Sequence, residues 1–270
     1  MVVDLLSIAV YYAFPFALGV FAAGFIYRIT RLFMMRGPPR VMAPRRKRSI
    51  KQLVVGFVRT FLDPIIVSFK KNKLDFIFGL VALHILGTIP LLFLLAQHMA
   101  FFEYYFKPYG ILKPLAISLS PTTSAIGAVK LAYPVKTTIH VKNIWGPLNV
   151  LLNGDVASLM VLVGVGYKLG DKLAERARGT RCIRPWDWLS LIILAGVVLT
   201  GFAAAHHVFG SEAVPTSSLF SYRGMLGLHV FLASTLLALI PFTNYWHIAF
   251  AYFYGKLREF WDLRYRKGVV

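Results

Sequence analysis

The chain is nearly without cysteine: Cys182 is the only one in 270 residues. A single thiol excludes an internal disulfide, a CxxC pair and a CxxCH site for covalent haem attachment. It also argues against iron–sulfur clusters and cysteine-built zinc sites within this chain. Acidic residues are scarce too, 11 Asp and Glu against 30 Lys and Arg, for a formal charge of +19. The sequence has no P-loop, no catalytic triad, no metal-hydrolase motif and no internal repeat. Its opening stretch, MVVDLLSIAVYYAFPF, lacks the basic segment that begins a cleaved signal, so it is expected to stay as a first membrane span.

What the chain has in abundance is apolar bulk. Hydrophobic residues make up 57% and charged residues only 15%. Apolar runs joined by basic loops describe an integral membrane protein. A nucleic-acid binder would carry such charge on a polar domain, and none is evident, so no nucleic-acid partner is expected. About 20 apolar residues cross the hydrocarbon core as a helix. Runs at 5–27, 76–102, 143–167, 188–211 and 224–255 meet that length, the third interrupted by Asp155. The expectation is one all-α membrane domain over residues 1–270, a bundle of five transmembrane helices in the cell membrane.

The loops orient it. Residues 28–73, 168–187 and the tail from 256 hold 13, 6 and 5 Lys/Arg, against 5 in 99–142, 1 in 206–223 and none before the first span. The positive-inside rule puts the N-terminus outside and the C-terminus in the cytoplasm. Within the first basic loop, apolar residues from Ile50 to Phe69 recur at helical spacing with Lys51, Arg59 and Asp63 between them. That pattern predicts a helix lying in the lipid interface, with partner docking as the less expected role. The preceding RGPPRVMAPRRKRS is an extended Pro- and Arg-rich linker suited to anionic headgroups or an acidic partner surface. Residues 103–142 read as a long outer segment with little regular structure.

Seven histidines remain to be explained, and polar residues within spans usually face the bundle interior or a site. On the last span His229 and His247 are eighteen residues apart, five full turns, so both leave one face about 27 Å apart. On the second span His84 and His98 are fourteen apart, again near one face, over about 21 Å. The spans run in opposite directions, which pairs His98 with His229 towards the outside and His84 with His247 towards the inside. Each pair suits the axial positions of one b-type haem iron, which needs no cysteine linkage. Tilt and a kink expected at Pro90 would absorb part of the difference between the two rises. The plainer reading makes each a structural histidine bonded to a neighbouring carbonyl. His206 and His207, at the outer end of the fourth span, are alternative outer ligands or donors to a haem propionate. His140, in the outer loop, is expected to be solvated.

The stretch RGMLGLHVFLASTLLALIPFTNYWHIAFA resembles the last span of the gamma subunit of respiratory nitrate reductases, a membrane dihaem cytochrome b. The matching positions are His229, Pro241, Phe242 and His247, which follow an arginine as in that family. YYAFPFALGVFAAGFIYRITR, FIFGLVALHILG and WDWLSLIILAGVVLTG resemble its first, second and fourth spans, with His84 in the inner-ligand position. His98 follows His84 at a longer interval than the family's second-span pair, and two loops are longer than usual. The resemblance implies a membrane-anchor subunit carrying two b haems, or one. It would pass electrons between quinol and an iron–sulfur subunit bound to a catalytic subunit. Related cytochromes serve sulfite-reductase-linked and heterodisulfide-reductase-like complexes. Lys142 echoes a lysine near the family's quinol site. Asp155, the only acid inside a span, either relays protons from quinol or bonds to backbone in a kink made by Asn153 and Gly154, the structural role being the one expected. The competing class is a cofactor-free bundle, a transporter or an assembly subunit. A transporter would more often show broken midplane helices or repeated halves.

Overall fold

The computed structural model describes residues 4–34, 72–121, 129–131, 137–139, 144–179, 185–210, 218–243 and 245, with single positions 51, 55, 58, 62, 65, 66, 69 and 70. Helix α1 runs from Leu5 through Ile8, Ala9–Ala13 and Phe14–Met34 without interruption. Helix α2 covers Asp75–Leu94 and α3 covers Ala96–Tyr105. Helices α4, α5 and α6 are Gly154–Ala177, Pro185–Ala205 and Tyr222–Leu239, the last extended by one tight turn, Ile240–Phe242. Two short strands, β1 (Val129–Leu131) and β2 (Thr137–Ile139), pair antiparallel. Among the described residues, four helices are long and apolar enough to cross a membrane: α1, α2, α5 and α6. Large apolar side chains lie exposed on their outer faces, among them Phe16, Ile26, Ile77, Ile192, Leu199 and Phe231. These are the features of a helical, multi-pass membrane protein.

The third expected span is the one that differs. Residues 146–150 form a tight turn, and helix begins only at Gly154 behind the Asn153 cap. The helix then continues to Ala177 through Lys168, Asp171, Lys172, Glu175 and Arg176, so its second half is charged. Hydropathy placed this element about ten residues too early, because the apolar run WGPLNVLLNG ahead of it is not helical with it. The segment 103–121 also carries more structure than its sequence suggests. Helix α3 reaches Tyr105, a tight helical stretch covers Lys107–Leu115, and Ala116, Ile117 and Ser118 are buried.

Packing runs α2 against α4, α4 against α5, α5 against α6, and α6 against α1. The ring is closed by α3, which meets α1 through Phe14 on Phe101, ring centres 4.7 Å apart, and through the Tyr105 hydroxyl donating to the Val10 carbonyl at 2.7 Å. In lipid, helices gain little from burying apolar area against one another, and close contact depends on small residues. Gly164 of α4 shows this: a Cβ there would lie 2.5 Å from Cβ of Leu83. Leu83, Val161, Val165, Leu191 and Val198 fill the resulting seam between α2, α4 and α5.

Helix α2 is not an ordinary α-helix. Asp75–Thr88 and Pro90–Leu94 are wound with i→i+5 hydrogen bonds, and the chain becomes extended at Leu95 (φ −60°, ψ 125°) before α3 starts. Pro90, where a kink was expected, lies inside the wound segment, and its carbonyl accepts the Leu95 N–H at 3.0 Å. The break falls five residues later. There Ile117 donates to the Leu94 carbonyl at 2.8 Å and accepts from Ala96 at 3.2 Å, a one-residue parallel bridge that replaces the lost helix bonds. The projection of His84 and His98 onto a single α-helical face therefore does not hold.

Of the expected interfacial helix, positions 51, 55, 58, 62, 65, 66, 69 and 70 are helical and exposed, including Val55, Val58, Leu62, Ile65, Ile66 and Phe69. The remaining positions, and the basic linker before them, lie outside the described residues.

At the end of the bundle where the chain begins, Asp4 caps α1 by accepting the Ser7 N–H at 2.9 Å and pairs with Arg223 at the start of α6. Both side chains are almost fully buried, 2% and 4% exposed. Burial alone would raise the Asp4 carboxyl, but hydrogen bonds from Ser7 and Arg223, with the guanidinium charge, outweigh it and hold the carboxyl below its ordinary value. A carboxylate with a depressed folded value contributes stability above its unfolded value of about 3.9, and that stability is lost as pH falls through the folded value. Asp4→Asn or Arg223→Met alone should destabilise the protein by about 3–5 kcal/mol at pH 7, because each leaves a buried charge without its partner. The double variant Asp4→Leu/Arg223→Met should recover most of that loss. Thermal unfolding of the three variants, with wild type followed down to pH 3, checks both the coupling and the acid limb.

Candidate functional site

The bend at Leu95 sets up the arrangement around His98. In a continuous helix of either winding, the Leu91 carbonyl would accept the N–H of Leu95 or Ala96. Here Leu95 donates to Pro90 and Ala96 donates to Ile117. The Leu91 carbonyl is thereby released, and the Nδ1–H of His98 takes it at 2.5 Å. From α6, His229 donates its Nδ1–H to the Val197 carbonyl of α5 at 2.8 Å. The two imidazoles then lie nearly parallel, 11° between planes, with ring centres 5.7 Å apart. The pairing expected from the sequence, His98 with His229, is thus present, although the route by which His98 arrives differs.

Carbonyl bonding is what a plain structural histidine would show, and it accounts for one nitrogen of each ring. It also fixes the tautomer: with Nδ1 protonated, Nε2 carries the lone pair. Among the described residues neither Nε2 has a hydrogen-bond partner. A metal-ligating imidazole is held in this way, with its second nitrogen donating to a carbonyl that orients the ring and raises its basicity. Two imidazoles presented through Nε2 could hold the iron of a b-type haem, which would supply one-electron chemistry.

Gly201 of α5 is part of the seat and was not anticipated from the sequence. A Cβ there would stand 2.7 Å from Nδ1 and 2.8 Å from Cε1 of His229, so only glycine leaves room for the ring against α5. Its sole sequence signal was a glycine inside an otherwise apolar helix. His84, on the wound part of α2, holds its Nδ1 against its own Gly79 carbonyl at 2.5 Å. Its expected partner His247 lies outside the described residues, as do His140 and Lys142.

The alternative outer ligands go elsewhere. His206 pairs with Asp155, Nε2 to Oδ1 at 2.7 Å, and both side chains are partly exposed. His207 adopts positive φ (51°) where α5 ends, and its ring lies 4.8 Å from that of Tyr222. Asp155 was expected to bond to backbone. Its N–H does reach the Leu119 carbonyl at 2.9 Å, but its carboxylate serves His206. The helix start is instead held by Asn153, fully buried, which caps Val156 N–H at 3.0 Å and donates to the carbonyls of Asn149 and Val150. Two buried acceptors at this end have no hydrogen-bond partner among the described residues: Gln97 Oε1, next to His98, and Asn149 Oδ1.

Among the described residues no group of three or more His, Cys, Asp or Glu side chains converges on one position. A haem iron, which takes four ligands from its own macrocycle, asks for only two. No protein-family model matches the chain, and neither the curated proteins nor the solved structures contain a significant match.

Asn153→Ala removes a helix cap and two further hydrogen bonds from the turn that presents Asp155. It should lower unfolding stability by about 2–3 kcal/mol, read from chemical denaturation in detergent.

Proposed function

We propose that this chain is the membrane-anchor cytochrome b of a respiratory oxidoreductase complex, passing electrons between a quinol and an iron–sulfur partner that serves a catalytic subunit. The observation that carries the reading is the His98–His229 pair: nearly parallel rings with centres 5.7 Å apart, each oriented through Nδ1 by a backbone carbonyl. The likeness of the last span to the nitrate reductase gamma subunit supports the same assignment.

When bound, haem supplies one-electron transfer. The protein's part is to present two neutral imidazoles through Nε2, with Leu91 and Val197 as their anchors and Gly201 as the space beside His229. A second haem would use His84, already tied through Nδ1, together with His247. With the basic loops in the cytoplasm, the N-terminal end of the bundle faces outward and the His98–His229 site lies on the quinol-oxidising side. Electrons then cross towards the cytoplasmic loops, where the iron–sulfur partner docks.

Haem counting by the pyridine haemochrome assay, with redox-titrated spectra, tests this. Two b haems per chain are expected, falling to one in His98→Ala and in His229→Ala. Gly201→Val should lose the same haem, because it unseats His229 without removing a ligand. One haem that depends on His84 and His247 alone would leave a monohaem cytochrome of the sulfite-reductase- or heterodisulfide-reductase-linked kind. No haem after expression with haem supplied would sink the cytochrome reading and leave a cofactor-free bundle.

A further inference from the structure

The segment between Lys51 and Lys70 has no part in the cytochrome reading, yet its described positions share one property. Val55, Val58, Leu62, Ile65, Ile66 and Phe69 are helical and between 37% and 52% exposed. Their spacing puts all six within an arc of about 100° on a helix, in a stripe about 21 Å long. Large apolar side chains aligned and open in this way mark a surface that something else covers.

Two observations identify what covers it. The first is continuity with the surface of a spanning helix. Phe69 meets Phe76 of α2 edge to face, ring centres 5.2 Å apart. Asn72 turns the corner between them: its side chain accepts the Asp75 N–H at 3.2 Å and its carbonyl accepts the Phe76 N–H at 2.9 Å. Just beyond the corner, Leu74 and Ile77 are again exposed, where α2 turns towards lipid. An acyl boundary that covers Ile77 is therefore within reach of Phe69.

The second observation is charge. Residues 28–73 hold 13 Lys and Arg and a single acid, Asp63. Lys51 stands four residues before Val55 and Lys70 four after Ile66, so each is in line with the stripe. Both are exposed, as is Lys73 at the corner. A lysine so placed lays its methylene stem along the apolar edge and keeps its ammonium among headgroups. Zwitterionic lipid would cover the stripe and leave this charge unanswered. An acidic bilayer, apolar beneath and negative above, meets both.

We propose that the helix carrying residues 51–70 binds acidic phospholipids of the leaflet at the Asp75 end of α2. Its six apolar side chains enter the acyl boundary, and Lys51, Lys70 and Lys73 meet lipid phosphates. Through the Asn72 corner, that contact moors the start of α2. The site involves no haem, so its test does not depend on the cytochrome reading.

The test uses the full chain in nanodiscs, of phosphatidylcholine alone or mixed with phosphatidylglycerol. Cys182 is the only cysteine, so a Cys182→Ser chain takes one nitrobenzoxadiazole label at Val58→Cys or Leu62→Cys. In discs with phosphatidylglycerol the label should shift to the blue and be quenched by lipids brominated on their acyl chains. Without phosphatidylglycerol, or in high salt, the effect should weaken. Lys51→Gln and Lys70→Gln should each lower the ratio of inserted to water-exposed label about five-fold, with thermal unfolding of the bundle unchanged. Equal quenching in the two kinds of disc would overturn the proposal, as would a label that stays in water in both. A label shielded from water but not quenched by brominated lipid would give the stripe to a protein surface, a second copy or a partner, and overturn it too. The unlabelled wild-type chain provides an independent reading: trypsin cleavage after Lys51 and Lys70 should be slower in the acidic discs, and equal rates would refute the site.

Discussion

The structure around the histidine pair depends on how an interrupted helix satisfies its backbone. Inside a membrane protein, an N–H or C=O without a partner costs several kcal/mol, so a break in a span persists only where other protein supplies the missing bonds. At Leu95 the supplier is Ile117, which gives one hydrogen bond and takes one. The same buried strand then serves α4, whose first two N–H groups, on Gly154 and Asp155, donate to the carbonyls of Ser118 and Leu119. Those are donors that a helix N-terminus leaves unpaired. Three residues, Ile117, Ser118 and Leu119, therefore answer two needs at once: they seal the break between α2 and α3 and they cap α4. Everything at this end of the bundle is registered to that strand.

That constraint explains why the pairing of His98 with His229 was legible although the geometry offered for it was not. Opposed chain directions and depth order follow from the number of turns of chain between loops, and hydropathy reports those. The winding of α2 and the break at Leu95 leave no mark in hydropathy, because LLFLLAQHMAFF is as apolar as a continuous span would be. The equal-face projection treated 84–98 as one α-helix and so reached a sound partner through an incorrect path. The unequal rises it produced, about 21 against 27 Å, were the sign that one helix was not regular.

The other departures share a cause. The start of α4 was misplaced because the apolar run before it packs as turns and not as helix, which composition does not distinguish. The pairing of His206 with Asp155 joins residues fifty-one positions apart. No periodicity within either segment carries it, since such a contact depends on how α4 and α5 are aligned. Gly201 is similar: its glycine is required by a ring from another helix, and within its own helix it reads only as a small apolar residue. What the sequence did carry were the local signals, namely the apolar spans and the helical spacing among Val55, Val58, Leu62, Ile65, Ile66 and Phe69.

Charge placement adds a last step. Among the described residues the acid–base side-chain pairs tie helices and turns to one another, while the two imidazoles are held by backbone carbonyls alone. Asp4–Arg223, Glu103–Lys113 and Asp155–His206 belong to the N-terminal end, and Asp75–Lys168 to the opposite one. The Arg28 Nε–H donates at that opposite end to the Pro241 carbonyl at 2.8 Å, just where α6 gives way to its final turn. A buried cation near the ring pair would oppose any positive centre placed between the rings, and a buried anion would demand one. Carbonyl dipoles do neither to that extent: they orient the imidazoles and enrich their Nε2 lone pairs while leaving the net charge of the site to whatever binds. If the proposed haem binds there, burial and hydrogen bonding, not fixed charge, would set its potential. Side-chain pairs thus tie the helices together, and carbonyl dipoles orient the two imidazoles.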